Sequence, residues 1–150
     1  IIIAKHSRYV RVFSNVWSYS ASGTMDWKDN VHPFDEVARE CFEEIGLKDN
    51  IEVLGELSHL YIPVSKFMVH PFVGIINERD VNYDINPNEV KDIIELSLDE
   101  LLLPHLVKET IVEPAPGHKF KTPYFDVEGR IVWGATAMIL NEFKHLLQSL

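Results

Sequence analysis

An apolar stripe between Phe34 and Ile45 constrains the fold more than any other feature of this sequence. Its members recur at steps of three and four residues, which is the spacing of one face of an α-helix; they are Phe34, Val37, Ala38, Cys41 and Ile45. Pro33 suits the first helical position, where a missing N–H costs no intrahelical bond, and Gly46 suits the position after the last turn. The pattern predicts an amphipathic helix from about Phe34 to Ile45.

The face opposite this stripe is predicted to carry the charged residues, namely Glu36, Arg39, Glu40, Glu43 and Glu44. Residues three and four apart share a helix face, so Glu40 stacks on both Glu43 and Glu44. Like charges at that spacing destabilise an isolated helix by about 0.2–0.5 kcal/mol per pair, and something should compensate for them. The spacing leaves two interpretations open: carboxylate ligands of a hard divalent cation such as Mg²⁺ or Mn²⁺, or an ordinary solvated face.

Strand-like runs follow the helix. Partial alternation of apolar residues predicts strands over Ile51–Ile62 and Lys66–Ile76, and Pro71 marks an edge or a bulge within the second run. Val90–Leu96 is a weaker candidate strand. Leu98–Leu103 is predicted to form a short helical turn.

The C-terminal part of the chain predicts a hairpin and a helix. Phe120–Val127 and Arg130–Trp133 flank the turn-forming pair Glu128-Gly129, and a helix follows from about Ala135. The predicted core stripe of that helix comprises Ile139, Phe143, Leu146, Leu147 and Leu150. This order of elements predicts an α/β fold, a mixed β-sheet with helices on both faces.

Length, charge and cysteine content bound the class of protein. We expect a single domain over residues 1–150, and the missing initiator Met suggests that the chain begins inside a longer protein. The net charge of −9 leads us to expect no nucleic-acid partner. No apolar run approaches the roughly 18 residues of a membrane span, and the single cysteine, Cys41, cannot form an internal disulfide. We therefore expect a cytoplasmic protein without a membrane partner, and we keep a homodimer as a candidate oligomeric state.

The segment from Arg39 to Leu47 resembles the second half of the Nudix box, the motif of the Nudix hydrolase superfamily. It reads Arg-Glu-Cys-Phe-Glu-Glu-Ile-Gly-Leu. All seven positions that the motif specifies here are matched: Arg-Glu, an apolar residue, Glu-Glu, Gly and a final apolar residue. The resemblance covers the chain from about Val16 to its C-terminus and implies a Nudix-type α/β/α sandwich.

The first half of the box departs from the motif. At strict spacing, the position of the motif's first Glu holds Val31. An alignment from Gly23, which follows the strand-like run Val16–Ala21, implies a loop two residues longer and places Asp29 near the missing Glu. In the family that Glu commonly pairs with the motif arginine, so the departure bears on the orientation of Arg39 and on activity.

Later segments resemble the coenzyme A pyrophosphatase-like branch of the superfamily. They are Tyr61-Ile62-Pro63, the run from Phe67 to Gly74 and the segment Trp133–Ala137 before the terminal helix. The acidic loop Asn88-Glu89-Val90 resembles a loop found in many members of the superfamily. The resemblance implies a hydrolase that cleaves the pyrophosphate linkage of a nucleoside diphosphate joined to another moiety. Coenzyme A or a related nucleotide conjugate is the substrate that this branch implies.

The family's functional residues carry over by motif position. The resemblance implies that the catalytic residues are Glu40, Glu43, Glu44 and Arg39. It implies that the metal ligands are Glu40, Glu43 and Glu44, with Glu89 as a further ligand or base. The implied cofactor is Mg²⁺ or Mn²⁺, which neutralises phosphoryl charge and lowers the pKa of bound water, and the implied partner is a small nucleotide-type substrate.

Other patterns give weaker hypotheses. The seven histidines include no His-Glu-x-x-His pair, so we expect His59 and His70 to be strand-surface or substrate-pocket residues and not metal ligands. Cys41 lies on the apolar stripe, where core packing is expected before nucleophilic chemistry. Five aromatic residues either pack in the core or line a pocket that stacks a base: Tyr61, Phe67, Phe72, Tyr124 and Phe125.

Two other functions stay open beside the metal-dependent hydrolase. Val31 at the motif's Glu position favours a catalytically weak or inactive Nudix-fold module that binds or senses a nucleotide. The third interpretation is an unrelated α/β domain whose acidic helix is only solvated.

Overall fold

The computed structural model describes residues 2–6, 17–19, 33–47, 51–63, 66–76, 81–113 and 117–150. Among these residues the strands are β1 (Ile2–His6), β2 (Trp17–Tyr19), β3 (Ile51–Glu56), β4 (Leu60–Ile62), β5 (Phe67–Val69), β6 (Phe72–Ile76), β7 (Val90–Glu95), β8 (Val107–Val112), β9 (Phe120–Val127) and β10 (Arg130–Val132). The helices are α1 (Pro33–Ile45), α2 (Leu98–Leu102) and α3 (Gly134–Gln148), and Pro104–Leu106 forms a 3₁₀ turn. The predicted α/β class is confirmed.

The described residues divide into two compact units, residues 2–94 and residues 95–150. The family resemblance and the sequence length still favour one domain over residues 1–150, and this stays a prediction. None of the helices in the described part of the chain has the length and hydropathy that a membrane crossing needs.

The first unit contains α1 and β1 to β7. Strand β1 lies between β2 and β7, and it runs antiparallel to β2 with Ile3 opposite Tyr19. Strand β3 pairs with β6, and β4 pairs with β5, both antiparallel. The helix predicted over Phe34–Ile45 is confirmed, and it begins one residue earlier, at Pro33.

Both long strand predictions of this unit are interrupted in the structure. The run predicted over Ile51–Ile62 breaks at residues 57–59, and the run over Lys66–Ile76 breaks at residues 70–71. Pro71 has no N–H to donate to a ladder, but its carbonyl accepts a bond of 2.8 Å from the Leu57 N–H. The predicted irregularity at Pro71 is therefore confirmed, and it lies opposite a matching break in the partner strand.

The second unit contains a three-stranded sheet, with β9 between β8 and β10, together with α2 and α3. The predicted hairpin is confirmed: Glu128 (φ 50°) and Gly129 (φ 77°) both adopt the positive φ of a type I′ turn. Strand β8 was not predicted. It pairs with β9 from Val107 opposite Phe125 to Val112 opposite Phe120. Its sequence, VKETIV, has too few apolar residues to show a clear alternation.

Helix α3 buries a different stripe from the predicted one. Its buried residues are Thr136, Leu140 and Lys144, which recur at steps of four. Leu146 is 48 % exposed and Leu150 is fully exposed, so including these two in the core stripe was wrong. Lys144 is buried because its ammonium group donates to the Leu103 carbonyl at 3.0 Å, which allows its stem to lie along the apolar face.

Candidate metal centre

Helix α1 ends at a glycine that permits a close backbone approach. Gly46 has φ +73°, and its N–H donates to the Phe42 carbonyl at 3.0 Å, which is the αL type of helix C-cap. A Cβ at this position would lie 2.5 Å from the Cβ of Asp84 and 2.8 Å from its backbone nitrogen. The missing side chain therefore allows residues 81–86 to pass directly over the end of α1.

This passing segment is bonded to the last carbonyls of the helix. The Asp84 N–H donates to the Ile45 carbonyl at 3.1 Å, and the Asn86 N–H donates to the Glu44 carbonyl at 2.9 Å. These carbonyls have no partner inside the helix, so the segment satisfies part of the C-terminal set. Ile45 and Val90 form a buried apolar cluster beneath it. The residues packed against that cluster are Leu47, Tyr83, Ile85 and Ile93.

A turn at Asn86 then places Glu89 beside the helix. The Asn86 carbonyl accepts from the N–H groups of Glu89 at 3.0 Å and Val90 at 2.9 Å, and its side-chain Oδ1 accepts from the Asn88 N–H at 3.1 Å. The Asn86 side-chain amide also donates to Oε1 of Glu89 at 3.4 Å. One asparagine therefore shapes the turn with its backbone and orients the Glu89 carboxylate with its side chain.

Three carboxylates converge as a result. Glu40, Glu44 and Glu89 each offer an oxygen, and these oxygens lie within 4.8 Å of one another. Glu40 and Glu44 are one turn apart on α1, while Glu89 follows more than forty residues later. The structure thus brings together three of the four predicted metal ligands.

The fourth predicted ligand, Glu43, points elsewhere. Its side chain is 47 % exposed, and its Oε2 accepts a hydrogen bond of 2.5 Å from Nη1 of Arg39. Nη2 of Arg39 donates to Oε1 of Glu40. Arg39 therefore bridges one carboxylate of the cluster and one at its rim, and the role of Glu43 as a ligand stays a prediction.

Glu44 is the buried member of the Glu40, Glu44 and Glu89 cluster. It is only 3 % exposed, so the solvated face, one of the two interpretations that the spacing left open, does not hold for Glu44. It lies one turn after Cys41 and next to Ile45, at the edge of the apolar stripe, where residues 81–90 cover the helix end. Burial raises the pKa of its carboxyl to about 8, and the nearby charges of Glu40, Glu89 and Glu43 add to that rise.

One oxygen of Glu44 lacks a hydrogen-bond donor in the part of the chain that the structure describes. Its Oε2 is buried, and none of the described residues donates to it. A buried acceptor without a partner costs about 1–3 kcal/mol, and more when it is charged. A divalent cation would supply the missing interaction and offset the repulsion among three acidic groups. The residues present therefore fit an oxygen-ligated ion such as Mg²⁺ or Mn²⁺.

The same environment makes Cys41 unreactive. Burial, together with the charges of Glu44 and Glu40, raises the pKa of its thiol to about 12. A thiol needs its thiolate form to act as a nucleophile or a metal ligand, so Cys41 is a packing residue here, as expected. Among the aromatic pocket candidates, Phe125 is 2 % exposed and belongs to the core.

The structure also brings together residues that were not expected to meet. Glu56, His59 and His70 have ligand atoms within 4.8 Å of one another. No spacing rule identifies this group, because the three residues come from different segments of two interrupted strands. Gly23, Asp29 and Val31, which concern the first half of the box, lie outside the described residues.

The comparisons with known proteins agree with the helix motif. The sequence matches the NUDIX domain family over residues 1–115. No curated protein matches the sequence. The matched residues include α1, with Glu40, Glu43 and Glu44, and the turn that carries Glu89. The chain therefore belongs to the Nudix family and is a hydrolase of the pyrophosphate bond in nucleoside diphosphate derivatives.

Proposed function

We propose that this protein is a Mg²⁺- or Mn²⁺-dependent hydrolase that splits the pyrophosphate linkage of a nucleotide conjugate, with coenzyme A or a related conjugate as substrate. Two observations carry the metal dependence. Oε2 of Glu44 is buried and accepts no hydrogen bond from the described residues. One carboxylate oxygen from each of Glu40, Glu44 and Glu89 lies within 4.8 Å of the other two. Three acidic groups placed so closely favour a cation over any neutral occupant. The resemblance of the 61–74 and 133–137 segments to the coenzyme A branch supports the substrate.

The roles of the residues follow from their positions. Glu40, Glu44 and Glu89 would hold the ion, which supplies Lewis-acid polarisation of the phosphoryl oxygens and a more acidic bound water. Arg39 restrains the carboxylates of Glu40 and Glu43 through its two hydrogen bonds and so positions them. Glu43, which is held by Arg39 outside the cluster, keeps the role of a further ligand that the family motif gives it. The base that accepts a proton from the attacking water would be one of the carboxylates of the site, with Glu89 as a candidate.

At neutral pH the environment of Glu44 favours the protonated form, because burial raises the pKa of its carboxyl to about 8. A carboxylic acid is a poor ligand, so Glu44 would hold a divalent ion only as the carboxylate. Metal binding at this site would therefore release a proton, and the metal affinity would rise with pH through the pKa of Glu44. A bound cation would also offset the negative charge of the three carboxylates and so reduce their repulsion of an anionic substrate.

The decisive experiment compares Glu44→Gln with the wild type and with Glu52→Gln. Glu52 is an exposed glutamate on β3, outside the cluster, and serves as the matched control. Coenzyme A, dinucleotides and nucleotide sugars are incubated with each protein and Mg²⁺, Mn²⁺ or EDTA, and the products are separated by chromatography. We expect Glu44→Gln and EDTA each to lower turnover at least about 100-fold, and Glu52→Gln to leave it unchanged.

A nucleotide-binding module without hydrolysis is the second candidate function. It is favoured by Val31, which stands where the motif has its first Glu. A wild type that binds a nucleotide by calorimetry, and that releases no product from any substrate of the panel with either metal, would favour this module over the enzyme. Cleavage of another conjugate but not of coenzyme A would leave the enzyme intact and remove only the substrate assignment.

Three broader expectations belong to the same proposal. We propose that one domain spans residues 1–150, that the protein works in the cytoplasm and that it forms a homodimer. Cell fractionation tests the location. Sedimentation at several protein concentrations tests the dimer, which a constant monomer mass would exclude.

A further inference from the structure

A second cluster of metal-ligating side chains lies apart from the acidic one, around Glu56 at the end of β3. Nε2 of His59 lies 2.8 Å from Oε1 of Glu56, and Nδ1 of His70 lies 3.1 Å from the same oxygen. The ring centroids of the two histidines are 4.0 Å apart, and their planes are inclined by 46°. All three residues belong to the first unit.

The strand register explains why the three side chains meet. In β3 and β6, Glu56 pairs with Phe72, whereas in β4 and β5, Leu60 pairs with Val69. The 51–62 side therefore holds one extra residue between these two pairs, which is the count of a β-bulge. Continuing the β4–β5 register by one step sets His59 opposite His70.

This bulge decides which face each side chain uses. Glu56 and His59 are three residues apart, so an uninterrupted strand would send them to opposite faces. With the extra residue, Glu56 lies on the same face as Phe72, its partner across the ladder. His70, two residues before Phe72, lies on that face too. His59 is opposite His70, so all three side chains of the cluster share one face. The Leu57 N–H bond to the Pro71 carbonyl, at 2.8 Å, fixes the two breaks beside each other.

We propose that Glu56, His59 and His70 form a binding site for a borderline transition-metal ion, with Zn²⁺ as the expected occupant. Two imidazoles and one carboxylate with an open fourth position make a ligand set that suits zinc. At ordinary Zn–N and Zn–O lengths, tetrahedral ligand atoms lie about 3.3 Å apart. The observed separations of 2.8 and 3.1 Å from Oε1 of Glu56 need only a small outward movement.

The charge and exposure of the cluster favour a cation over an anion. The hydrogen bonds from His70 and His59 hold the pKa of the Glu56 carboxyl below its usual value, so this group is a carboxylate at neutral pH. A phosphate or carboxylate ligand would meet that negative charge directly. The side chains of Glu56 and His59 are 39 % and 49 % exposed, which leaves solvent at the open position.

This site differs in chemistry from the acidic cluster. Glu40, Glu44 and Glu89 offer only oxygen, which suits Mg²⁺ and Mn²⁺, while the second cluster offers two nitrogens and an oxygen. The inference does not depend on the proposed hydrolase activity. It requires only the extra residue at 57–59, opposite 70–71, and the three side chains that this register brings together.

The test uses the untagged full chain and a Glu44→Gln background, which removes the acidic cluster as a competing site. Co²⁺ serves as the spectroscopic probe, because tetrahedral Co²⁺ absorbs visible light far more strongly than octahedral Co²⁺. Zn²⁺ is titrated by calorimetry. We expect about one Co²⁺ or Zn²⁺ per chain in this background, an intense visible band, and no displacement by a 100-fold excess of Mg²⁺.

Variants then assign the site. His59→Ala and His70→Asn should each weaken Zn²⁺ binding at least about tenfold and abolish the visible band. His105→Ala removes an exposed histidine of the second unit and should change neither measurement. Glu56→Gln keeps the shape of the side chain and should weaken binding while the circular dichroism spectrum stays that of the parent.

Two outcomes would overturn the inference. One is that Glu44→Gln alone abolishes Zn²⁺ binding, because the ion would then belong to the acidic cluster. The other is that His59→Ala, His70→Asn and Glu56→Gln bind Zn²⁺ as tightly as their parent.

Discussion

The fold buries the carboxyl group of Glu44 at the end of α1, next to the carboxyl groups of Glu40 and Glu89. Its pKa is raised to about 8 in the folded chain, against a usual value near 4.5, so the folded protein keeps a proton that the unfolded chain releases. Between these two values the unfolded state binds fewer protons, and the metal-free protein must lose stability as the pH rises. The contribution of Glu44 to the free energy of unfolding is greatest below pH 4.5, the usual pKa of the group in the unfolded chain. It is lost as the pH rises to about 8, the pKa in the folded chain.

Glu44→Gln should remove this pH dependence. In EDTA, we expect the free energy of unfolding of the wild type to fall by on the order of 2 kcal/mol between about pH 5 and pH 8.5 relative to that of the variant. Urea denaturation at several pH values measures both proteins. Parallel stability curves for the two would show that Glu44 is not held in its protonated form by the fold.

Gly46 and Gly129 form a matched pair for a second prediction at this scale. Both have positive φ, +73° and +77°, but only at Gly46 would a Cβ meet another backbone, that of Asp84. Alanine at either position costs about 1–2 kcal/mol for the left-handed conformation. Gly46→Ala adds a clash at 2.5 Å that only a backbone shift can relieve. We expect it to cost at least about 2 kcal/mol more than Gly129→Ala.

Metal affinity separates the two glycine variants further. A shift of residues 81–86 would carry Glu89 away from α1, so Gly46→Ala should weaken Mn²⁺ binding, measured by calorimetry. Gly129→Ala, in the β9–β10 turn, should bind Mn²⁺ as the wild type does. Equal losses of stability and unchanged affinity in both would contradict the role assigned to the close approach at Gly46.

At the scale of elements, the 81–90 segment completes the site that α1 begins. Asn86→Ala removes the side-chain bonds to Glu89 and to the Asn88 N–H while leaving the backbone bonds in place. We expect a loss of about 1 kcal/mol of stability and a Mn²⁺ affinity reduced about tenfold, because Glu89 loses its orienting donor. Asn82→Ala, at an exposed position of the same segment, should change neither quantity in denaturation or calorimetry.

Local patterns in the sequence predicted the elements that local rules determine. The apolar stripe with Pro33 and Gly46 predicted α1, and the pair Glu128-Gly129 predicted the β9–β10 turn. The pairing of strands depends on contacts between distant residues, so β8 and the break at residues 57–59 were not predicted. The burial of Glu44 was missed for the same reason, because it depends on residues 81–90, which cover the helix end from elsewhere in the chain.

In the candidate site, too, local sequence predicts some features, and contacts between distant residues determine the others. Helical spacing placed Glu40, Glu43 and Glu44 together on one helix but left a solvated face open. The family resemblance pointed to these three, and to Glu89, as metal ligands. Only the structure distinguishes Glu43, bound to Arg39 at the surface, from the buried Glu44. The Glu56, His59 and His70 cluster needed the register shift between two strand pairs, which no linear spacing records.

For the whole molecule, the net charge of −9 includes a local group of acids that a cation can neutralise. An ion that binds only the folded state stabilises the protein by mass action, by about 2.7 kcal/mol when its concentration is 100 times its Kd. Part of the negative charge, that of Glu40, Glu44 and Glu89, would then serve to bind a cation. An acidic chain that acts on a polyanion needs such a cation, because its net charge repels the substrate.

The single cysteine provides a test of this linkage. Cys41 is 5 % exposed and lies on α1 between Glu40 and Glu44, so a thiol reagent reaches it only when the helix opens. Saturating Mn²⁺ should slow the labelling of Cys41 by a disulfide reagent about 100-fold in the wild type, which corresponds to the stabilisation above. The labelling of Glu44→Gln should be insensitive to Mn²⁺, and Glu52→Gln should behave as the wild type. Equal slowing in Glu44→Gln would place the stabilising ion outside the acidic cluster, and unchanged wild-type labelling would show that the ion does not bind preferentially to the folded state.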